Sequence, residues 1–346
     1  MRCCWLTIRC RRIWCCGRRC RQAFCIWRRS SKRGRRGVAV ESSAPGKVIL
    51  CGEHSVVYGY PAMAAPVMGV RCRAWVEAAA SGSGLSLVAV DLGERLALRA
   101  APPDQPLAAL ARLVLAHLGC EEPDAVLTVH SDLPIAGGLG SGAAVSVAAA
   151  RALAGFLGVT LSPAALSALA YEVEKLHHGT PSGIDNTVIA WERPVYFVKG
   201  QPPEVLAIPA PLRLLIADSG IGAVTREAVA AVRQRREAHP AYYEARFAQI
   251  GALVSAARAA WEQQDLPTLG QLLDANQALL AEIGVSTPRL EALITAARQA
   301  GALGAKLTGS GMGGNIIALV TAEGMPAVAD ALRAAGAVHV WQTITE

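Results

Sequence analysis

The chain has 346 residues and a formal net charge of +7 at pH 7, a length that carries one large or two medium domains with a sizeable core. The charge is lopsided: 13 of the 34 Lys+Arg and none of the 27 Asp+Glu lie in residues 1–37, so the remaining 21 basic and 27 acidic side chains leave the body six charges negative. That balance removes any nucleic-acid reading built on the basic total, and no apolar run reaches the roughly 20 residues of a membrane-spanning helix.

Residues 1–37 also hold seven of the ten cysteines. With no His and no paired Cys-x-x-Cys knuckles they make a poor zinc site. Arginines interrupt every apolar stretch, which argues against a secretory signal, and the crowd of Cys and Trp does not suit a transit peptide. A basic membrane-surface segment stays open. The plainer expectation is a disordered leader, irrelevant to catalysis, upstream of a true start near Val38 or Val40. Cys51, Cys72 and Cys120 remain in the body, and so few predict reduced, buried thiols in a cytoplasmic protein.

In chain order, residues 48–51 form a short apolar run. Residues 67–78 and 85–90 read as strands around a Ser-Gly-Ser-Gly turn. A helix is predicted over 107–118 and a strand over 125–130. A glycine-rich loop then leads into a helix over about 141–157. The next helix, 162–178, has Ser162 at its N-cap, Pro163 in its first turn and Gly179 past its end. Strands follow at 195–198 and 212–217. Residues 225–282 are helical with breaks near Pro240 and Pro267, and Thr287-Pro288 opens another helix that stops before Gly301. Strands at 306–308 and 315–320, a helix at 325–335 and a strand at 338–343 close the chain. Strands and helices mix without regular βαβ alternation, which predicts an α+β protein. A domain boundary near Gln201-Pro202-Pro203 divides the body into 38–203 and 204–346.

Four stretches carry candidate chemistry. PIAGGLGSGAAV (residues 134–145) has the glycines and following helix of an anion-binding turn, but no Lys-Ser/Thr follows its last glycine as in the familiar phosphate loop. The bland alternative is a tight strand-to-helix turn. SAPGKVILCGEHSVVYGYPA (43–62) offers Lys47, Glu53 and His54; taken singly, these read as a surface charge and a satisfied loop histidine. YEVEKLHHGTPSGIDNTV (171–188) brings Glu174 and Asp185 to either side of a turn, where one carboxylate can hold Mg²⁺ and the other take a proton. Otherwise Glu174 pairs with Lys175 or an arginine on a wet face and Asp185 caps a helix. KLTGSGMGGNIIALV (306–320) supports the first loop or a substrate, or is a hairpin turn.

These four stretches, in this order, resemble the motifs of the GHMP kinase family, and most closely its mevalonate kinase branch. APGKVILCGEHSVVYG differs from the GEHTDY-like stretch of galactokinases, HHGTPSGIDNTV matches the mevalonate branch, and DSGIGAVTREAVAAV (218–232) places Thr225 at a substrate-side Ser/Thr position. The resemblance runs from Ser43 to the C-terminus. It implies a two-domain fold, a ribosomal-protein-like N-terminal domain and a ferredoxin-like C-terminal one, with the active site between them. It implies that Pro134, Gly137, Gly138, Leu139, Gly140, Ser141, Gly142 and Ala143 wrap the phosphates of ATP, and that the missing lysine is Lys47. It implies Asp185 as catalytic base beside Lys47, Glu174 and Ser141 as Mg²⁺ ligands, and Lys47, His54, Asp185 and Thr225 facing the acceptor. The implied activity is transfer of the γ-phosphoryl group of Mg-ATP to the C5 hydroxyl of mevalonate by a cytoplasmic homodimer. Another small-alcohol kinase, or a non-catalytic sensor on the same fold, is the alternative. Two departures stand out: Gly142 replaces a second loop serine common in the family, and Met312 stands where glycine is common.

Overall fold

The computed structural model describes residues 39–134, 137–178, 181–222 and 224–345; the leader and Gly179, with the expectations attached to them, lie outside the described residues. Strands β1 (Val40–Cys51) and β2 (Ala62–Ala78) pair antiparallel over most of their length. Their register slips between Pro45 and Gly46, where residues 68–70 of β2 are left unpaired, a bulge in β2 opposite the stretch just before Lys47. Strands β3 (Leu85–Ala89), β4 (Glu94–Ala97), β5 (Ala125–Ser131), β6 (Val195–Phe197) and β7 (Glu204–Val205) complete a seven-stranded sheet. Its order is β4-β3-β5-β2-β6-β7, with β1 on β2. The β3–β5 pair is parallel.

Four helices accompany this sheet: α1 (Pro106–Leu118), α2 (Ser141–Phe156), α3 (Pro163–His178) and α4 (Ile184–Trp191). Helix α2 packs across β1, β2 and β5, with α1 and α3 against it. Its buried face is built of small residues, Ala143, Ala144, Ala148, Ala149 and Ala152, which favour helix and let the backbone lie close to the sheet. The start of α2 is thereby brought onto β1. Ser162 Oγ accepts from the Ala165 N–H at 3.2 Å ahead of α3, the expected N-terminal cap.

The second unit contains β8 (Leu212–Asp218), helices α5 (Thr225–Ala238), α6 (Pro240–Glu262), α7 (Leu266–Glu282) and α8 (Pro288–Gln299), strands β9 (Gly304–Thr308) and β10 (Asn315–Leu319), helix α9 (Met325–Ala334) and strand β11 (Val340–Thr345). Its antiparallel sheet runs β11-β8-β10-β9. Counted within the unit, this is order 4-1-3-2 with helical crossovers after the first and third strands, the ferredoxin-like arrangement. The prolines at 240, 267 and 288 each sit in the first turn of a helix, where a missing N–H costs nothing. One apolar cluster runs from the first sheet through α6 and α7 to the second, and a smaller one, with Ile49, Ile184 and Val188, fills the space under α4.

Three features differ from expectation. Helix α4 and strand β4 were not anticipated; both are too short to show a period. Strand β7 still belongs to the first sheet, so the change of sheet falls between Val205 and Leu212, just past the 203/204 division. Cys51 and Cys72 are buried free thiols, pushed up to about 12 by burial. Cys120 instead is only half-buried.

Candidate active site

The glycine loop enters α2 through Gly140, which lies in the left-handed region at φ +74°. A Cβ there would come to 2.9 Å from Ile189 Cδ1 and 3.0 Å from Lys47 Cγ, so backbone angle and space both demand glycine. The loop's carbonyls are taken up one after another. Gly137 O accepts from Asn315 Nδ2, Gly138 O from Lys47 Nζ at 3.1 Å, Leu139 O from the Lys47 backbone N–H at 2.9 Å, and Gly140 O from the Ala144 N–H at 2.9 Å. In a trans peptide each N–H points opposite to the carbonyl before it. The N–H groups of Gly138, Leu139, Gly140 and Ser141 are therefore turned away from these partners. Successive backbone donors at a helix N-terminus make an anion cradle. Pro134 borders the loop, its carbonyl accepting from the Gly137 N–H at 3.4 Å. Leu139 and Ala143 are buried in the core and offer the cradle backbone only.

The lysine absent from the loop arrives on β1. Lys47 is 2% exposed, and its Nζ lies 3.1 Å from Asp185 Oδ1 as well as 3.1 Å from Gly138 O. A buried ammonium needs such partners. Asp185 stands in the first turn of α4, one-third exposed. Glu174, on α3, is buried, and its carboxyl is pushed up to about 7. Burial is the main cause, the neighbouring Asp185 charge adds to it, and Lys47 partly offsets both. Lys175 turns to Glu172 at 2.7 Å, so the expected alternative of a Glu174–Lys175 pair on a wet face is not what forms. A Cβ on Gly142 would lie 2.9 Å from Glu174 Oε1, which puts that carboxylate directly against the start of α2.

Among the described residues no three His, Cys, Asp or Glu side chains gather into a protein-only metal centre. The donor set fits a cation that arrives on phosphates. Mg²⁺ needs only one or two protein oxygens beside substrate phosphates. Glu174, a carboxylate whose charge is disfavoured where it sits, gains from a cation at the mouth of the cradle beside Ser141.

His54 belongs to a second cluster. Its backbone sits at φ +61°, ψ −49°, and the Ser55 N–H reaches Glu53 O at 2.7 Å. This is the positive-φ γ-turn, a strained conformation. The ring is buried, with Nε2 at 2.9 Å from Ser310 O. A carbonyl only accepts, so Nε2 carries the proton and Nδ1 is left as acceptor. Burial, helped by the Arg235 charge and opposed by the Ser310 hydrogen bond, lowers the imidazole to about 4. Ser310 Oγ in turn lies 3.4 Å from Thr225 Oγ1 at the start of α5. The loop after β1, the turn between β9 and β10, and α5 thus converge.

Residues 106–192 match the family model for the GHMP kinases N-terminal domain, and residues 253–338 match the one for the GHMP kinases C-terminal domain. A mevalonate kinase of Pyrococcus horikoshii is 36% identical over 322 residues, covering 86% of this chain and 93% of that protein. The chain belongs to the GHMP kinase family. A mevalonate kinase of Aeropyrum pernix is also 36% identical, over 81% of this chain and 88% of its own length. Among solved structures, L. major mevalonate kinase in complex with R-mevalonate superposes with a TM-score of 0.78 at 28% identity, over 90% of this chain and 98% of the other. The mevalonate kinase of methicillin-resistant Staphylococcus aureus gives 0.66 at 31% identity, over 88% and 98%.

This GHMP kinase also holds site-supporting residues that sequence patterns did not single out, Lys306, Asn276 and Asn315, the first two as partners of Glu53. Glu53 and Lys306 form an ion pair with both side chains fully buried. Asn276 Nδ2 donates to the other Glu53 oxygen at 3.1 Å. The pair ties the loop carrying His54 to β9 of the second unit. A lysine inside the otherwise apolar strand GAKLT was the available signal. Asn315, opening the apolar strand NIIAL, was the other.

Proposed function

We propose that this GHMP kinase transfers the γ-phosphoryl group of Mg-ATP to the C5 hydroxyl of mevalonate. The observation that carries the proposal is the Lys47–Asp185 pair, 3.1 Å apart, with the same ammonium fastened to the glycine loop. Mevalonate as acceptor is supported by relatives that bear the name mevalonate kinase over nearly their whole length.

Bound Mg-ATP supplies an electrophilic phosphorus and a cation that neutralises phosphate charge. The chain's part is positioning and electrostatics. The turned-out N–H groups of Gly138 to Ser141 hold the phosphates, and Glu174 with Ser141 holds the metal. Asp185 accepts the hydroxyl's hydrogen bond and takes its proton as the oxygen attacks. Lys47 stabilises negative charge on that oxygen. His54, through Nδ1, and Thr225, through its hydroxyl, orient the acceptor.

The test offers the purified protein ATP with mevalonate, mevalonate 5-phosphate, galactose and homoserine in parallel. Product from mevalonate alone, phosphorylated at the 5-position, is the expected outcome. Phosphorylation of another acceptor with mevalonate untouched would overturn the assignment.

A further inference from the structure

Asn315 opens β10, paired in register with Asp218 of β8 and Thr308 of β9. It is fully buried, and its Nδ2 donates to the carbonyl of Gly137, 178 residues earlier in the chain. Its Oδ1 accepts no hydrogen bond among the described residues. The amide cannot be turned over to cure this, because Oδ1 would then face Gly137 O, acceptor against acceptor. A buried amide with its own oxygen unmet is a net cost to folding that an apolar side chain would not carry. What it yields is a fixed loop carbonyl.

We infer that Asn315 is a positioning residue for nucleotide phosphates. By holding Gly137 O on the side of the second sheet, it fixes the Gly137–Gly138 peptide plane and aims the Gly138 N–H the opposite way. Of the carbonyls from Gly137 to Gly140, Gly138 O and Leu139 O are held by Lys47 of β1 and Gly140 O by α2 itself. Gly137 O is held from the ferredoxin-like unit. The β9–β10 turn reinforces the contact, since a Cβ on Gly309 would lie 3.3 Å from Gly138 O. The first donor of the cradle is therefore set only while the two units are docked, and phosphate affinity depends on that docking.

This inference rests on the nucleotide reading above, and calorimetry with MgADP separates the two. Wild-type protein binds MgADP; its failure to do so would remove the nucleotide reading and this inference with it. With wild-type binding in hand, Asn315→Ala weakens MgADP by about tenfold, the worth of one hydrogen bond at the strong end of the neutral range. The KM for ATP rises with it and the KM for the acceptor stays unchanged. Asn315→Ser, which keeps a shorter donor, recovers part of the loss. MgADP affinity within twofold of wild type in Asn315→Ala, or both KM values rising together, overturns the assignment. If Asn315→Ala does not fold, the Asn315→Ser variant decides by the same contrast; failure of both to fold shows a purely structural residue and also overturns it.

Discussion

Lys47 Nζ stands 3.1 Å from both Asp185 Oδ1 and Gly138 O, so one ammonium ties the proposed proton acceptor to the proposed phosphate loop. The two partners are separable by mutation. Asp185→Asn removes the proposed proton acceptor and leaves the loop fastened. Its kcat is expected to fall roughly 10²- to 10⁴-fold with the KM for ATP little changed. Lys47→Met removes the charge and also releases Gly138 O, so kcat falls and the KM for ATP rises. Steady-state kinetics in both substrates check this; equal effects of the two variants on the ATP KM would contradict the shared ammonium.

Gly142 is exposed, while Glu174 behind it is buried. Adding a methyl at 142 removes a glycine from the first turn of α2, worth up to about 1 kcal/mol in helix propensity. The same methyl would press on Glu174 Oε1 from 2.9 Å and displace the proposed metal ligand. Gly142→Ala is therefore expected to unfold at higher urea while needing several-fold more Mg²⁺ for half-maximal rate. Urea titration and a Mg²⁺ dependence test the two halves independently. An unchanged Mg²⁺ requirement would show that the carboxylate has no part in holding the metal.

Much of the site is written in local signals. Glycines at 137, 138 and 140 before an alanine-rich helix, Pro163 in the first turn of α3, and the turn between Glu174 and Asp185 each announce themselves within a few residues. The long elements were legible for the same reason. Pairings across the chain were not. Lys306 meets Glu53 over 253 residues of separation, and no local pattern tells which buried charge finds which. Helix α4, eight residues long, is too short for a 3.6-residue period to emerge, although it carries Asp185. Met312 is a partial case. Its replacement of a common glycine is visible in sequence, and the structure supplies the reason for that glycine: φ is +60°, a conformation costing a non-glycine residue roughly 1–2 kcal/mol.

The Glu53–Lys306 pair makes a stability prediction. Both side chains are fully buried, and Asn276 satisfies the second Glu53 oxygen. Lys306→Met leaves a carboxylate in the interior with its counter-charge gone, at a cost of about 3–5 kcal/mol. Glu53→Gln alone strands the ammonium at a similar cost. The double variant removes both charges and is expected to be clearly more stable than either single one. Urea unfolding of the four proteins closes the cycle. Additive losses would mean that the two side chains do not depend on each other.

His54 makes a pH prediction. Its imidazole is lowered from 6.5 to about 4 in the folded chain, chiefly by burial. The unfolded chain thus takes up a proton first as pH falls. Stability from the neutral ring is complete above about pH 6.5, is lost progressively as pH drops towards 4, and falls no further below that. At pH 5 the loss from this residue amounts to about 2 kcal/mol. His54→Asn keeps an amide donor for Ser310 O and tolerates a positive φ, but it does not titrate. Wild-type protein should lose about 2 kcal/mol more than His54→Asn between pH 7.5 and pH 5, measured by urea unfolding at each pH. Parallel curves for the two proteins would show that the ring is protonated in the fold as easily as in the open chain, and that the Nε2–Ser310 contact does not define a neutral imidazole.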